Sequence, residues 1–510
     1  MANLTNARIA LALAGLCGVI FFSRLHTYGE PLERDLTTYA VIGHEMLGGR
    51  ALYTDLWDHK PPAIHLTYAA AELIAGYGRD AIFLLNLAAG VATLLACYAA
   101  GSAAGAGPMG GVISAALWAL ASGDLALEAN QPNVEVFLNC LMAAGFAVFV
   151  RKEKSGLGIR GAAFAGALFA LASLYKQVVV VEAGLITLAY LALAPAQQRK
   201  VRLGEVAIIA AIGLFTWAIV FEFFLLQGHA AAFFEAVFTY NRFYAGSAWA
   251  NLTRISAFHP ISADTLAVLF PLAMMTVTGL VLGLVTGPRR PWILLLFFAI
   301  GAHIAILLPG HFFPHYYQLW LPPLVIGGGW SIVVIRRCLS PKLGSLCYAA
   351  PAIAGMVLIA LELPSYRLPA SEWSRKKYGD IFIETDQLAL RLDQLLSPGE
   401  KFFEWGSESG LYHTSGRDPI SGVVFADPLL AGPVAAKLTR RLLDDLDHAK
   451  PDLIVLNDET IAQTSPHHPM LTWLRANYLP IARTHSFILA ARAGSRLAGE
   501  KLKLAEIAPR

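Results

Sequence analysis

The 510-residue chain is 56% hydrophobic and only 15% charged, with a mean hydropathy of +0.54 and a formal net charge of +3. A soluble domain carries nearer a quarter charged residues, and apolar runs of about 18–23 residues recur here at the length that crosses a bilayer. The composition therefore excludes a water-soluble globular protein. Basic residues gather at the ends of the apolar runs instead of along one face, which excludes nucleic acid as a partner.

The first apolar run, residues 7–22, ends in Phe21-Phe22-Ser23-Arg24-Leu25 with no small-x-small site, so an uncleaved span is expected. Glu33-Arg34-Asp35 follows, then Asp58-His59-Lys60-Pro61-Pro62. Ionisable groups at the edge of a lipid phase are costly to desolvate and are usually retained for chemistry or ion handling. Asp35 also suits an N-cap for the run Leu36 to Leu47. Pro61-Pro62 is placed to start the next helix. Residues 63–77, with His65 and Glu72 among them, read as an interfacial helix and not as a crossing. The five cysteines, Cys17, Cys97, Cys140, Cys338 and Cys347, lie in or beside apolar runs without metal spacing and read as small buried side chains.

Short cytoplasmic loops are enriched in Lys and Arg. Four loops qualify: Arg151 to Arg160, Arg199-Lys200-Val201-Arg202, Pro288-Arg289-Arg290, and Arg336-Arg337 with Lys342. Placing them inside leaves 24–80, 128–133, Tyr175-Lys176-Gln177, 227–262, 309–318 and the tail from Pro364 outside, with about eleven spans. Asp35, Asp55, Asp58, Lys60, Glu128, Lys176, Arg242, His311 and His315 then belong to one external face. Lys176 sits in a three-residue link with little room to snorkel. Glu128 and Glu135 flank Asn130 and Asn133 at the mouth of a span. Carboxylates beside lysines at a lipid–water boundary suit a phospholipid-linked substrate: the cations neutralise phosphate and a carboxylate takes a hydroxyl proton. Arg242 is placed to gate the site or bind a lipid phosphate. His311, His315, Tyr316 and Tyr317 read either as substrate contacts or as an interfacial aromatic belt.

From Pro364 the charges rise and the apolar runs shorten. Residues 401–405, 422–425, 453–456 and 487–491 read as buried strands, and 380–396 and 431–449 as helices. That alternation predicts a small α/β domain. It carries no glycine-rich phosphate loop or nucleophile elbow, so a lid or acceptor-binding platform is its expected role. The expected architecture is a mainly α, polytopic membrane domain over 1–363 with a large first external loop (24–80), followed by an α/β domain over 364–510.

Taken together, the acid after the first span, the run Gly48-Gly49-Arg50-Ala51-Leu52-Tyr53-Thr54-Asp55-Leu56-Trp57-Asp58-His59-Lys60-Pro61-Pro62, Glu128-Ala129-Asn130, Lys176-Gln177 and Phe313-Pro314-His315-Tyr316-Tyr317 with Leu321-Pro322-Pro323 resemble the C-type integral-membrane glycosyltransferases. The similarity is to bacterial relatives of dolichyl-phosphate-mannose protein mannosyltransferases and aminoarabinose lipid A transferases, and spans about residues 1–335. The resemblance implies a multi-pass protein of the bacterial inner membrane whose active site and C-terminal domain face the periplasm. It implies transfer from a polyprenyl-phosphate-linked sugar donor to an envelope glycan, lipid or protein acceptor, with inversion at the anomeric carbon. Membrane lipids are further partners. By similarity Asp35 is the general base, Lys60 and Lys176 hold the donor phosphate, and Glu128 orients acceptor or sugar. Glu33, Asp58, Arg242, His311, His315 and Tyr316 complete the substrate-binding set. Many relatives carry a second acid directly after the first-loop Asp, whereas Leu36 follows Asp35 here. The division of labour between Glu33 and Asp35 stays open, no metal ligands are assigned, and a divalent metal is left open as a cofactor. The competing function is a membrane transporter or lipid-linked-sugar flippase; against it, no clear internal repeat is visible and the acids fall in loops, not mid-span.

Overall fold

A computed structural model describes residues 5–254 and 261–499; part of the expected 227–262 loop, residues 255–260, lies outside them. Eight described helices are long and apolar enough to cross a membrane, among them Asn6–His26, Arg79–Gly101, Val134–Arg151, Ala263–Thr286 and Arg289–Leu307. The chain is a mainly helical, multi-pass membrane protein with a small sheet near its C-terminus. It divides into two compact units.

The first unit comprises Met1–Tyr28, Phe83–Phe223 and Ala245–Pro369. It contains the eight long helices or most of each, with the shorter apolar helices Gly107–Ala121, Gly158–Ser173 and Val179–Ala192 packed among them. Lipid tails are as apolar as leucine, so these helices associate through close packing at small residues. A Cβ on Gly329 would run into Ser114 and the Gly110 carbonyl, and one on Gly283 would meet the Trp292 indole.

The loops of this unit separate by chemistry into two ends. At one, Arg202 donates to the Tyr190 carbonyl (3.2 Å), Arg290 lies 3.6 Å from Glu153, and Arg337 donates to the Thr286 carbonyl (3.2 Å). At the other, Arg24 donates to Asn86 (2.9 Å) and to the Ser122 carbonyl, and Asn86 donates to the Asn130 carbonyl (2.6 Å). The basic loops thus share an end from which the Glu128 loop is absent. The cysteines are all free thiols; Cys97 and Cys347 are buried, but Cys338 is exposed, against the uniform burial expected from sequence.

The second unit gathers Gly29–Ile82, Phe224–Tyr244 and Ala370–Arg510. Its sheet has the order β1-β2-β4-β3, with β1 Phe402–Trp405, β2 Leu453–Asn457, β3 Tyr478–Arg483 and β4 Phe487–Arg492. β1 and β2 are parallel, and the β2–β4 and β4–β3 pairs are antiparallel. The helices expected near 380–396 and 431–449 form at Ile381–Leu395 and Ala435–Ala449. One expected strand does not form, and one strand that does form was not expected. Residues 422–425 are a buried loop, because the Gly422 carbonyl accepts from Trp57 N–H (2.9 Å) and its Cα lies too close to Asp55 for any side chain. Strand β3 escaped detection because it is an edge strand, largely open to solvent and bulged between Pro480 and Ala482, so it lacks an apolar alternation.

Residues 227–253 are also not an open loop. They form short helical pieces, Ala230–Phe234, Asn241–Ala245 and Ala248–Thr253, with a wide π turn over Glu235–Tyr240. The Ala63–Ala75 helix begins directly after Pro62 and packs on the Arg34–Leu47 helix, where a Cβ on Gly43 would strike the Ala69 backbone nitrogen.

Inside this unit His413 is buried against the Tyr77 ring (centroids 5.0 Å apart). Burial pushes its imidazole down to about 4, and the charges of Arg79 and His44 add to the effect. Between about pH 6.5 and 4 the unfolded chain takes a proton at this position that the folded one refuses, so stability falls with acidification. From pH 7 to pH 5 this single group costs about 2 kcal/mol. His413→Phe is therefore expected to flatten the acid side of the melting curve, read as Tm against pH in detergent; a His413→Phe profile that parallels the wild type would contradict it.

Candidate active site

Each unit carries a polar constellation. In the first, the Val134–Arg151 helix starts at Asn133, whose side chain accepts from Val134 N–H at 2.9 Å, and so brings Glu135 into its first turn. Glu135 is 1% exposed and accepts from Lys176 Nζ at 2.6 Å. The same ammonium lies 3.5 Å from the Tyr316 ring centroid, a cation–π contact. One residue earlier, His315 Nδ1 is 2.9 Å from Glu128 Oε2. His311, Phe313 and His315 stack in a row, with centroids 5.7 and 5.6 Å apart.

Glu128 adopts φ +51°, the left-handed region that disfavours a side chain bearing Cβ. Its surroundings over-determine that conformation. Gln318 Nε2 donates to the carbonyls of Leu127 (3.2 Å) and Glu128 (3.4 Å), Asp124 accepts from Leu127 N–H (2.7 Å), and Asn139 donates to the Gln318 carbonyl (3.1 Å). Backbone strain of this kind, worth about 1–3 kcal/mol, clusters at functional sites. The sequence points to Glu128, Lys176, His315 and Tyr316 separately, and the fold joins them. Gln318 and Asn139 went unassigned; neither carries a charge, and nothing in the local sequence separates them from helix-end amides.

In the second unit the expected N-cap is corrected. Glu33, not Asp35, caps the Arg34–Leu47 helix, its Oε2 accepting from Asp35 N–H at 3.1 Å. Glu33 is buried and its carboxylate is used by the backbone, whereas Asp35 is half-buried and accepts from the Tyr39 hydroxyl at 3.3 Å. Asp35 is thereby released from capping.

Asp58 is almost fully buried and builds the turn that presents Lys60. Its Oδ1 accepts from the N–H groups of His59 (2.5 Å) and Lys60 (3.2 Å), and its Oδ2 is 3.1 Å from His65 Nε2. Burial alone would push the Asp58 carboxyl up; His59 and His65 outweigh it and hold Asp58 well below the usual carboxylate range. Burial, reinforced by the Lys60 charge, lowers the His59 imidazole. The turn is pinned from two further sides: Asn241 Nδ2 donates to the His59 carbonyl (2.6 Å) and the Tyr53 hydroxyl to the Lys60 carbonyl (2.8 Å). Lys60 itself is half-buried. Arg242 in this unit and His311 in the first are both exposed. Among the described residues, no group of three or more His, Cys, Asp or Glu side chains is arranged to hold a metal ion.

Comparison with known proteins places the fold. No family model matches, and no curated sequence matches. Among solved structures the chain is similar to ArnT from Cupriavidus metallidurans bound to undecaprenyl phosphate, with a TM-score of 0.64 and 15% identity over 96% of this chain and 99% of that one. It is similar to the oligosaccharyltransferase AglB from Archaeoglobus fulgidus in complex with an inhibitory peptide and a dolichol-phosphate (TM-score 0.54, 12% identity, 96% and 74% covered). The arabinofuranosyltransferase AftD from Mycobacteria follows at TM-score 0.55 and 13% identity, covering 97% of this chain and 40% of that one. The fold is that of the C-type integral-membrane glycosyltransferases.

Proposed function

We propose that this protein is a membrane glycosyltransferase that moves one sugar from a polyprenyl-phosphate carrier to a hydroxyl of an envelope lipid, glycan or protein at the periplasmic face of a bacterial inner membrane. The observation that carries the reading is Lys176, a nearly buried ammonium fixed by Glu135 and Tyr316 in a unit of this fold. A buried cation at the end of a membrane helix bundle is costly to maintain, and a lipid-linked phosphate gives it a use. Two of the similar structures hold polyprenyl phosphates, which supports the donor class.

The chemistry assigns one step to each group. Asp35 takes the proton of the acceptor hydroxyl as its oxygen attacks the anomeric carbon. The bond from that carbon to the phosphate oxygen breaks, and the electron pair leaves with the polyprenyl phosphate. Lys60 and Lys176 neutralise the charge that develops on that phosphate. Glu128, held by His315, orients a sugar or acceptor hydroxyl, and Asp58 and Glu33 set the backbone on which Lys60 and Asp35 stand. Arg242, His311 and Tyr316 complete the substrate contacts.

Mass spectrometry of envelope lipids and glycans from cells lacking the protein is expected to show one sugar missing while its polyprenyl-phosphate donor accumulates. Loss of the sugar together with failure of the purified protein to transfer it from supplied donor in detergent would instead favour the flippase reading.

A further inference from the structure

The first turn of the Arg34–Leu47 helix is fastened within the second unit by residues nearly four hundred positions later. Arg34 Nη2 donates to Glu408 Oε1 at 2.9 Å, and the Glu408 side chain is 1% exposed. The next residue, Ser409, donates through its hydroxyl to the Arg34 carbonyl at 3.2 Å and lies 2.9 and 2.8 Å from the hydroxyls of Thr37 and Thr38. The anchor is itself held by hydrogen bonds. Glu408 N–H donates to Glu404 Oε1 (3.3 Å) in strand β1, and Glu404 N–H donates to the Tyr412 hydroxyl (2.9 Å).

We propose that Glu408 and Ser409 are positioning residues for Asp35: Ser409 fixes the turn that carries the carboxylate, and Glu408 keeps the Arg34 guanidinium committed away from it. The inference rests on Asp35 being the general base. The charged groups acting on Arg34 are Glu408, Asp427, Glu33 and Asp35, and those acting on Glu408 are Arg34, Glu459 and Asp427, with Glu404 adjoining. With Glu408 neutralised, the carboxylates left acting on Arg34 are Asp427 and then Glu33 and Asp35, the last two on its own turn. A guanidinium moved beside a carboxylate makes it a weaker base. The C-terminal α/β region is on this account part of the catalytic apparatus and not only a platform for substrate.

The test uses the full chain in detergent, with Glu408→Gln, Ser409→Ala, Arg34→Gln and the Arg34→Gln/Glu408→Gln double variant. Glu408→Gln is expected to lower kcat about tenfold and to leave the donor KM within about twofold. The double variant is expected to be no worse than Arg34→Gln alone, because Glu408 acts through Arg34. Losses that multiply in the double variant, or a wild-type kcat in Glu408→Gln, would overturn the role. Hydrogen exchange supplies a readout independent of transfer. Amides 35–39 are expected to exchange faster in Glu408→Gln and Ser409→Ala while strand β2 stays protected; unchanged exchange there would overturn the tether. A wild-type chain that transfers no sugar, with exchange still accelerated in the variants, would sink the glycosyltransferase reading and leave the tether standing.

Discussion

Asp35→Asn is expected to cut sugar transfer by about 10²–10⁴-fold, the span that a positioned general base contributes. The substitution is nearly isosteric, and the amide oxygen still accepts from the Tyr39 hydroxyl that now lies 3.3 Å from the carboxylate. Because Glu33 does the capping, the helix loses no N-terminal partner. Insertion, melting temperature and donor KM should therefore stay at wild-type values while kcat collapses. Steady-state kinetics beside a thermal melt check this. A purified Asp35→Asn protein that transfers at the wild-type rate would remove Asp35 from the chemistry. A protein that loses both activity and stability would return Asp35 to a structural role.

The second large effect concerns Lys176. Replacing it with Met removes the ammonium that lies 2.6 Å from Glu135, a carboxylate 1% exposed, and breaking such a buried pair costs about 3–5 kcal/mol. Lys176→Met is thus expected to be poorly stable as well as inactive, which by itself cannot separate packing from function. Lys176→Met/Glu135→Gln can. Neutralising both partners should recover most of the stability. Donor KM should still rise by ten- to a hundredfold, since a hydrogen bond to a charged phosphate is worth about 1.5–3 kcal/mol. Full transfer activity in the stable double variant would refute the phosphate role.

What could be read from the sequence follows the range of the forces involved. Bilayer length and the distribution of Lys and Arg are written locally, so the helical character of the spans and the grouping of the basic loops are legible in the sequence. Lys176 stood out because a three-residue link offers a long cation nowhere to go. Glu33 and Asp58 were harder. Both sit among other polar residues, and only backbone geometry shows that their carboxylates hold turns. Glu408 was invisible, since its significance lies in Arg34, and pairing across 374 positions leaves no trace in local composition. The same holds for Gly422, which reads as part of a strand until Asp55 is seen against its Cα. Strand β3 was missed for the opposite reason: an edge strand is chosen by its neighbour, and its own side chains scarcely specify it.

The discontinuous make-up of the second unit bears on biogenesis. Its earliest segment is synthesised hundreds of residues before the Glu408 and Ser409 that hold it, with most of the membrane helices made in the interval. The Arg34 turn must consequently wait, unlatched, until Glu408 and Ser409 have been made. A premature stop before Glu408 would leave the membrane helices made and the Arg34 turn without its latch.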